Sequence, residues 1–546
     1  MRTQIKKVIG INIGHDGGCT LVVNGEIVAT MAEERLNRVK NSYGWLNSLK
    51  YCLEKGEISL QEIDLFVFSD YNDKIASGFT GGLNLFGIDP SKCIIVDHHL
   101  SHACTAFLTS GYKKSLVYVL DGRGNNNSTE TFYTAEGNKI EKIAGNPQHD
   151  YKKGLVAAYQ AFTSYFGWHQ DEAGKTMGLA PYGNPDAFSK LNLFEETKEG
   201  WFVNKLEDNT ALAVERFFKE VQVEIPAKFA KDPMIYVDMG AWLQKEFEKT
   251  SLKLINKVFK DSNIDTLCMA GGGALNSVMN RKILQETAVK HLHIFPAAGD
   301  SGQSIGNALY GYYIFGNQDA EKRPVWNNDY RKVINDKSSL VSMLERTSQI
   351  VELIIPKSSR YKYSRQNNIA QKTAQLISQG NIVGWFQAGS EIGPRSLGHR
   401  SILCDPRSST MKDDLNLRVK HRESFRPFAA SVLLEKAKEY FDIDIPTPFM
   451  LLVVNVLKDK RKNIPAVTHI DNTCRIQTVT REDNGIFYNL IEEFNAITKI
   501  PMILNTSFNL ANEPIVETPF EALRCFLRTE MDYLVIEDYL IEKVKG

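Results

Sequence analysis

The chain has 546 residues, of which 43% are hydrophobic and 24% charged, and its formal net charge is zero. This length predicts two large domains, each able to bury a full core. A zero net charge excludes a global field that would attract nucleic acid or an anionic membrane, although it is compatible with a local basic patch. The eight cysteines include no C-x-x-C pair, which predicts reduced thiols and a cytoplasmic protein.

No segment of the sequence is typical of membrane insertion or export. The N-terminus, "MRTQIKKVIGINIGHD", enters a short strand and then a polar loop, so it is not a signal peptide. The longest late apolar run, "FMLLVVNVL", is broken by Asn455 and is too short to span a bilayer. We therefore expect no membrane partner.

Two stretches of the chain follow the same plan of strand, polar turn and hairpin. In the first, "KVIGINI" precedes "GHDGG" and the hairpin "CTLVVNGEIVATM", with Asn24 and Gly25 in a tight turn that needs two positive φ angles. In the second, "SLVYVLDG" precedes "RGNNNS" and the hairpin "TETFYTAEGNKIEKI", which turns near Gly137 and Asn138. The repetition predicts a duplicated α/β domain whose two copies place tight loops beside a shared cleft.

The stretch "IIVDHHLSHACTAF" (94–107) places two histidines four residues apart after a predicted strand. On a helix, His98 and His102 share one face. Alone, such a pair is more typical of a surface or a helix cap than of a metal site. Asp121 and Asp300 also follow predicted strands, and the four side chains form a mixed nitrogen and oxygen set that suits iron, manganese or zinc. Such an ion could bind and polarise nucleotide phosphates.

Two further strand–loop–helix units carry features with alternative interpretations. In "MAGGGALN", Gly271, Gly272 and Gly273 either cradle a phosphate or allow tight packing of strand and helix. In "FPAAGDSGQS", Asp300 either contributes to a site at the strand end or caps the next helix. Residues 317–345 are predicted to be an excursion or linker, and a new domain begins near residue 362 with the helix "NIAQKTAQLISQG" and the strand "NIVGWFQ".

A basic region at 391–426 is rich in arginine, glycine and proline and has no amphipathic stripe. Its cations are Arg395, Arg400, Arg407, Lys412, Arg418, Lys420, Arg422 and Arg426. Because the planar guanidinium group binds oxyanions in a bidentate way, we favour a pocket for a small phosphate-bearing substrate over internal salt bridges. Later strands add His469, Arg475, Asn505, Ser507 and Asn509.

Ten stretches in sequence order resemble the O-carbamoyltransferase family of nodulation-factor and antibiotic biosynthesis. They are "GHDGGCTLVVNGEIVATMAEERLNRVK", "DHHLSHACTAF", "LDGRG", "GKTMGLAPYG", "AGGGALNSVMN", "FPAAGDSGQSIG", "EIGPRSLGHRSIL", "LNLRVKHRESFRPFA", "HIDNTCRIQTV" and "LNTSFNLANEPIV". The resemblance implies an α/β protein with two domains. Residues 1–355 would be similar to the tRNA threonylcarbamoyl-transferase fold, a duplicated ATPase of the actin and sugar-kinase type. Residues 356–546 would be similar to the YrdC fold, which forms carbamoyl adenylates.

The resemblance also implies roles for particular residues. The metal ligands would be His98, His102, Asp121 and Asp300, with His99 as a neighbour only. The transfer site would contain His15, Asp16 and Lys40. The nucleotide would contact Gly271, Gly272, Gly273, Asn276 and Ser301. Carbamoyl phosphate would contact Arg395, Arg418, Lys420, Arg426, Arg475, Asn505 and Ser507. The loop "GRGNNNST" departs from the family pattern, which could alter the acceptor pocket.

The chemistry implied by the resemblance has two steps. Carbamoyl phosphate and ATP, with Mg²⁺, give carbamoyl adenylate in the second domain, and a small-molecule hydroxyl acceptor takes the carbamoyl group in the first. A homodimer is compatible with this scheme, and nucleic acid is not expected as a partner. The alternatives are a tRNA-modifying threonylcarbamoyl-type transferase, a non-enzymatic ATP-binding scaffold of the actin type, and a His-x-x-x-His metallohydrolase. The last lacks the glutamate base expected beside its histidines.

Overall fold

The computed structural model describes residues 5–70, 83–148, 150–260, 262–317, 320 and 361–544. The chain forms two compact units. The first consists of Met1–Glu33 and Asn41–Asn327, and the second of Glu34–Lys40 and Asn328–Gly546. The predicted boundary between residues 355 and 356 lies outside the described residues, as does most of the predicted linker.

The first unit contains two five-stranded sheets and a small two-stranded ribbon. Their strands are β1 (Lys7–Asn12), β2 (Gly18–Val23), β3 (Glu26–Ala32), β4 (Leu65–Ser69), β5 (Cys93–Ile95), β6 (Lys114–Leu120), β7 (Glu130–Glu136), β8 (Lys139–Gly145), β9 (Phe194–Glu196), β10 (Phe202–Asn204), β11 (Thr266–Ala270) and β12 (His291–Ile294). The sheet orders are β3-β2-β1-β4-β5 and β8-β7-β6-β11-β12, and β9 pairs with β10.

The two large sheets have the same topology. In each, an antiparallel meander of three strands is followed by two parallel strands added on the side of its first strand. Asn24 and Gly25 have φ angles of 51° and 85°, as the tight turn in the first hairpin requires, and Gly137 in the second has a φ of 58°. The predicted duplication of an α/β domain is therefore confirmed.

Eight helices of the described residues lie wholly in the first unit, and one short helix, α1 (Glu33–Asn37), lies mostly in the second. The eight are α2 (Leu46–Gly56), α3 (His98–Leu108), α4 (Leu155–Tyr165), α5 (Ala173–Leu179), α6 (Ala211–Glu220), α7 (Val237–Lys260), α8 (Ser277–Glu286) and α9 (Gln303–Leu309). Helix α9 packs on β1, β2, β4 and α3, while α3 packs on β6 and β11.

Helix α9 comes very close to both α3 and β1. A methyl group on Gly306 would lie 2.1 Å from the Ser101 carbonyl oxygen, and one on Gly10 would lie 2.1 Å from the carbonyl oxygen of Ser304. Only glycine allows these approaches. Because α3 and α9 each begin shortly after the end of a strand, their first turns are brought together at one place in the first unit.

The second unit is built on one nine-stranded mixed sheet. Its strands are β13 (Tyr361–Arg365), β14 (Val383–Phe386), β15 (Arg400–Cys404), β16 (Ala429–Leu433), β17 (Leu452–Asn455), β18 (Thr473–Val479), β19 (Met502–Ser507), β20 (Tyr533–Ile536) and β21 (Tyr539–Lys543), in the order β13-β21-β20-β14-β15-β19-β16-β18-β17. The α-helices among its described residues, apart from α1, are α10 (Ile369–Ser378), α11 (Met411–Leu415), α12 (Gly485–Thr498) and α13 (Pro519–Leu527).

The second unit has the predicted α/β architecture. The predicted helix and strand after residue 362 are confirmed as α10 and β14, and Gly380 beyond α10 has a φ of 87°. The sheet buries Trp385, Ile402 and Leu504 completely. Among the described residues of both units, we find no helix of the length and hydropathy needed to cross a bilayer.

Candidate functional site

The two histidines singled out in the sequence lie in the first turns of α3. The side chain of Asp97 caps this helix by accepting a hydrogen bond from the Leu100 backbone N–H at 2.9 Å. Asn125 accepts from the backbone N–H of His98 at 2.6 Å. With the helix start fixed in this way, the rings of His98 and His102 lie with their centroids 4.8 Å apart, and both side chains are buried.

Two carboxylates face these imidazoles. Asp121 follows β6 directly, and its Oδ2 atom lies 3.3 Å from Nε2 of His98. Asp300 opens the short turn before α9, and its Oδ1 atom lies 3.2 Å from Nε2 of His102. One donor atom from each of the four residues lies within 4.8 Å of the others. We call these four residues the His/Asp cluster.

Opposite charges dominate the electrostatics of the His/Asp cluster. Burial alone would lower the pKa of His98, but the charges of Asp300 and Asp121 outweigh burial and raise it to about 10. Burial would raise the pKa values of Asp121 and Asp300, yet the histidines hold both well below the usual range. Two imidazole nitrogens and two carboxylate oxygens that converge in a buried space form a donor set that fits a divalent metal ion.

His15 joins this cluster through Asp300. Its Nε2 atom lies 3.1 Å from Oδ2 of Asp300, and its Nδ1 atom lies 2.9 Å from Oδ2 of Asp16. The hydrogen bond to Asp16 is the main reason why the pKa of His15 rises to about 10, and the charge of Asp300 adds to it against the effect of burial. Asn12 braces the loop by donating to the His15 and Asp300 carbonyl oxygens at 3.0 and 3.2 Å.

The third residue of the predicted transfer site is placed differently. Lys40 is exposed and belongs to the second unit, whereas His15 and Asp16 belong to the first. A joint role for Lys40 and His15 therefore stays a prediction.

The three glycines after β11 lie beside the His/Asp cluster. Gly271 has a φ of 89°, and a methyl group there would lie 2.4 Å from the carbonyl oxygen of Leu120. Gly273 packs against Leu120 in the same way. Gly272 instead donates its backbone N–H to Oδ1 of Asp121 at 2.9 Å. The packing interpretation is thus confirmed for Gly271 and Gly273, while phosphate binding by the three glycines stays a prediction.

Two other residues of the predicted nucleotide site are close in sequence to these features. Asn276 caps α8 by accepting from the Met279 N–H at 3.1 Å, and it exchanges hydrogen bonds with Gln244 at 3.0 Å. Ser301 is half-buried in the turn that Asp300 opens. Nucleotide binding by these residues stays a prediction.

In the second unit, some cations of the basic region interact mainly with one another, and others are paired with carboxylate or carbonyl oxygens. Arg395, Arg422, Arg426 and Arg475 act on one another as like charges. Arg426 lies 3.8 Å from Glu423. Within the described residues, the Nε atoms of Arg395 and Arg475 and a terminal nitrogen of Arg422 are buried without a hydrogen-bond partner. We call these four residues the arginine cluster.

Burial and mutual repulsion lower the pKa values in the arginine cluster. The pKa of Arg395 falls to about 10 because of burial and the charge of Arg426, and that of Arg422 falls to about 9 for the same reasons. Burial and the charges of Arg395 and Arg422 lower the pKa of Arg475 as well. Arg395 and Arg422 keep their charge at neutral pH. Guanidinium groups that are held together in this way, with buried N–H groups of Arg395, Arg422 and Arg475 lacking an acceptor among the described residues, are suited to binding a multivalent oxyanion.

The remaining predicted anion ligands already have protein partners. Arg418 lies 3.2 Å from a Glu530 carboxylate oxygen and 3.3 Å from one of Asp532. Lys420 is buried and donates to the side chain of Asn509 at 2.7 Å and to the Ser507 carbonyl oxygen.

Several neighbouring polar side chains also serve the fold. Asn505 is buried and donates to Ser431 at 2.9 Å, while the hydroxyl of Ser507 donates to Asn509 at 2.8 Å. Arg400 donates to the Gln387 carbonyl oxygen at 2.8 Å, and Arg407 lies 2.6 Å from Asp405. The same stretch of sequence therefore contains arginines that are paired within the fold and arginines with buried N–H groups that have no acceptor among the described residues.

Two residues of these sites had no role in the sequence-based assignment. Arg422 was noted in the basic region but was not among the predicted ligands. Its position one residue after His421, which has a φ of 43°, turns the chain between Lys420 and Arg422. Asn125 was seen only as part of a polar turn, although it links the His98 N–H to the carbonyl oxygen of Asp70. A run of three asparagines that begins four residues after Asp121, a candidate metal ligand, was the available signal.

Comparison with known proteins shows the family of this chain. The model of the carbamoyltransferase N-terminus matches residues 7–81 and 79–309, and the model of the carbamoyltransferase C-terminus matches residues 374–543. This chain belongs to the carbamoyltransferase family. It is thus an enzyme of the transferase class, as the sequence resemblance predicted.

Individual relatives extend along almost the whole chain. An uncharacterized protein of Synechocystis sp. is 34% identical over 97% of this chain and 95% of its own length. Nodulation protein NolNO of Sinorhizobium fredii is 34% identical over 97% of this chain and 79% of its own length. Among solved structures, full-length HypF in the phosphate- and nucleotide-bound form matches 57% of this chain and 56% of its own, with 11% identity and a TM-score of 0.36.

Proposed function

We propose that this carbamoyltransferase is an ATP-dependent O-carbamoyltransferase with two half-reactions. The second unit forms carbamoyl adenylate from carbamoyl phosphate and ATP, and the first unit transfers the carbamoyl group to a hydroxyl of a small-molecule natural product. The arginine cluster is the observation that carries this proposal. Carbamoyl phosphate and ATP are both polyanions, and the buried Nε–H groups of Arg395 and Arg475 have no acceptor among the described residues.

The first half-reaction forms a mixed anhydride. Water cleaves carbamoyl phosphate into carbamate and phosphate. A carbamate oxygen then attacks the α-phosphorus of ATP, and the bond to the bridging oxygen of pyrophosphate breaks. Arg395, Arg422 and Arg475 bind the phosphate oxygens and stabilise the charge that grows on them. Lys420 holds Ser507 and Asn509 in place at the end of β19.

The second half-reaction transfers the carbamoyl group. The acceptor oxygen attacks the carbamoyl carbon, the bond from that carbon to the phosphate oxygen breaks, and AMP leaves. The proton of the acceptor hydroxyl goes to a base or to solvent. Adenylation is needed because a carbamate is a poor electrophile, and AMP is a good leaving group.

His15 is placed to orient the reacting groups at the His/Asp cluster. With a pKa of about 10, its ring holds both protons at neutral pH and donates to Asp16 and Asp300. This favours positioning of the acceptor or of the carbamoyl oxygen over proton abstraction. His98, His102, Asp121 and Asp300 would hold a divalent ion of iron, manganese or zinc. When bound, such an ion supplies a positive charge that polarises a phosphate or carbonyl oxygen.

The cellular setting is also part of the proposal. The eight cysteines are free thiols, and seven of them are buried, which supports a cytoplasmic protein.

The identity of the nucleotide product tests the reaction. The protein is incubated with Mg²⁺, ATP and carbamoyl phosphate, with and without hydroxyl acceptors, and products are separated by chromatography. The proposal predicts AMP and pyrophosphate, with AMP release dependent on an acceptor. ADP as the sole nucleotide product would contradict adenylation and indicate a kinase reaction.

A further inference from the structure

The segment Glu34–Lys40 is separated by hundreds of residues from the rest of the second unit, yet it belongs to that unit. Most of it forms α1. The segment lies within "EERLNRVK", which ends the first stretch that resembles known carbamoyltransferases. Neither the sequence analysis nor the two candidate sites assigned a role to its two arginines. Both arginines of this segment make long-range contacts.

Arg35 contacts a loop that leads into the arginine cluster. Its side chain is only 5% exposed, and its Nη2 atom donates to the carbonyl oxygen of Gly393 at 3.0 Å. Its Nη1 atom lies 3.9 Å from Oε2 of Glu517, which is also buried. A buried guanidinium group whose hydrogen bond reaches a single loop carbonyl holds that carbonyl in place.

The Gly393 loop carries Arg395, a member of the arginine cluster. Gly393 has a φ of 89°, so the chain turns there in a conformation that favours glycine. On the other side of Arg395, Oε1 of Glu391 accepts the backbone N–H groups of Leu397 at 2.5 Å and Arg400 at 3.3 Å. The loop is therefore tied on both sides of Arg395, once by Glu391 and once by Arg35.

We propose that Arg35 is a positioning residue for the arginine cluster. Arg395 must be held near Arg422, Arg426 and Arg475 although like charges repel. The hydrogen bond from Arg35 to Gly393 opposes this repulsion and keeps the Arg395 guanidinium in place before the anion binds. The inference rests on the proposed function, because it takes carbamoyl phosphate as the anion of this site.

Arg38 provides a matched control in the same segment. Its two terminal nitrogens donate to the carbonyl oxygens of Ile515 and Pro514 at 2.8 and 2.7 Å, and it pairs with Glu521 at 3.4 Å. These partners lie outside the Gly393 loop. Arg35→Ala and Arg38→Ala therefore both remove an arginine that ties this segment to the second unit, but only Arg35→Ala releases the loop of Arg395.

The experiment measures carbamoyl phosphate binding to the full chain by titration calorimetry, with inorganic phosphate as the control for hydrolysis. We expect Arg35→Ala to raise the Kd by about tenfold, the effect of losing one charge-assisted hydrogen bond. Arg38→Ala should keep the wild-type Kd even if both variants lower the melting temperature. Arg35→Lys should recover part of the affinity, since lysine retains an N–H donor for Gly393, and it serves as the test variant if Arg35→Ala does not fold.

A double variant separates positioning from a general structural effect. If Arg35 acts through Arg395, then Arg35→Ala in an Arg395→Ala background should add little to the loss already caused by Arg395→Ala. Additive losses would overturn the inference, as would a wild-type Kd for Arg35→Ala or an equal loss for Arg38→Ala.

The same protein samples distinguish this inference from the proposed reaction. If the wild type binds carbamoyl phosphate with the expected pattern among variants but forms no AMP or pyrophosphate with ATP, the reaction is wrong and the role of Arg35 stands. If the wild type does not bind carbamoyl phosphate, both are wrong. If binding and adenylation occur and Arg35→Ala changes neither, only the role of Arg35 is wrong.

Discussion

The two candidate sites solve opposite electrostatic problems. In the His/Asp cluster, His98 and His102 face Asp121 and Asp300, so positive and negative groups compensate one another. In the arginine cluster, four arginines act on one another as like charges, and burial together with this repulsion lowers the pKa values of Arg395, Arg422 and Arg475. The His/Asp cluster offers two imidazole nitrogens and two carboxylate oxygens that can bind a metal cation or protons. The arginine cluster is left with excess positive charge that an anionic ligand can neutralise.

This difference indicates which property to test in each cluster. Loss of one member of the His/Asp cluster should leave a buried charge without its partner and remove a metal ligand. Loss of one member of the arginine cluster should weaken anion binding while relieving repulsion in the folded protein. The two clusters should therefore differ in ligand, in pH dependence and in the sign of the stability change.

The largest effect is expected for His102→Ala. This substitution removes one of four donor atoms, so divalent-metal affinity should fall by more than the roughly 100-fold that loss of an outer partner costs a metal site. Metal content is measured by elemental analysis after dialysis, and carbamoyl transfer is measured in parallel. His99→Ala is the neighbouring control, since His99 contacts Thr131 at 2.7 Å and is not part of the donor set. Full metal occupancy in His102→Ala would disprove the assignment.

Arg475→Met should weaken adenylate formation without destabilising the fold. A lost charge-assisted hydrogen bond of roughly 1.5–3 kcal/mol corresponds to a roughly 10- to 150-fold loss in carbamoyl-phosphate-dependent pyrophosphate–ATP exchange. Because burial and like charges lower the pKa of Arg475, its charged form is disfavoured in the folded protein. The melting temperature should therefore stay the same or rise. A lower melting temperature together with unchanged exchange would show that Arg475 serves the fold alone.

The pH dependence of binding should differ between the clusters. Metal binding needs neutral imidazoles, and His98 has a pKa of about 10, so an ion must displace at least one proton. As the pH is raised towards that pKa, metal affinity should therefore increase by about tenfold per pH unit.

Carbamoyl phosphate affinity provides the contrast. Arg422 has a pKa of about 9, so it stays charged through neutral pH and its contribution should be constant from about pH 6.5 to about pH 7.5. Competition with a chelator and calorimetry give the two curves. Equal slopes would show that the same protons govern both sites.

The smallest effect is expected for an arginine of the same region that already has a partner. Arg407→Ala breaks a partly exposed ion pair with Asp405. The substitution should lower the free energy of unfolding by at most about 1 kcal/mol. Its exchange activity should equal that of the wild type, because the pair supplies no free guanidinium group. A loss of exchange as large as that of Arg475→Met would remove the distinction between paired and unpaired arginines.

Sequence reasoning located the His/Asp cluster because its members follow strands. In the duplicated α/β domain, loops that follow strands of both sheets were expected beside one shared cleft, so His98 after β5 could be brought together with Asp121 and Asp300, which follow β6 and β12. The turn at Asn24 and Gly25 was predictable from these two residues alone, because Asn-Gly is typical of a turn with two positive φ angles. Features fixed by neighbours in sequence, or by a repeated topology, were therefore predictable.

The division of the arginines was not predictable in this way. Whether an arginine is paired depends on carboxylates from distant parts of the chain, as with Arg418 and its partners Glu530 and Asp532. The contact of Arg35 with Gly393 joins positions 358 residues apart. Composition and spacing contain no information about such contacts, so the sequence could indicate an arginine-rich pocket but could not say which side chains line it.

The most direct test of separate half-reactions is carbamoyl-phosphate-dependent pyrophosphate–ATP exchange, which needs no acceptor, in His15→Ala and Arg475→Met. Both proteins are first compared with the wild type by melting temperature, because His15 lies in a tight loop. If the arginine cluster makes the adenylate and the His/Asp cluster uses it, His15→Ala should retain exchange and Arg475→Met should lose most of it. If a well-folded His15→Ala loses exchange as fully as Arg475→Met, both steps share one site and the division of labour is wrong.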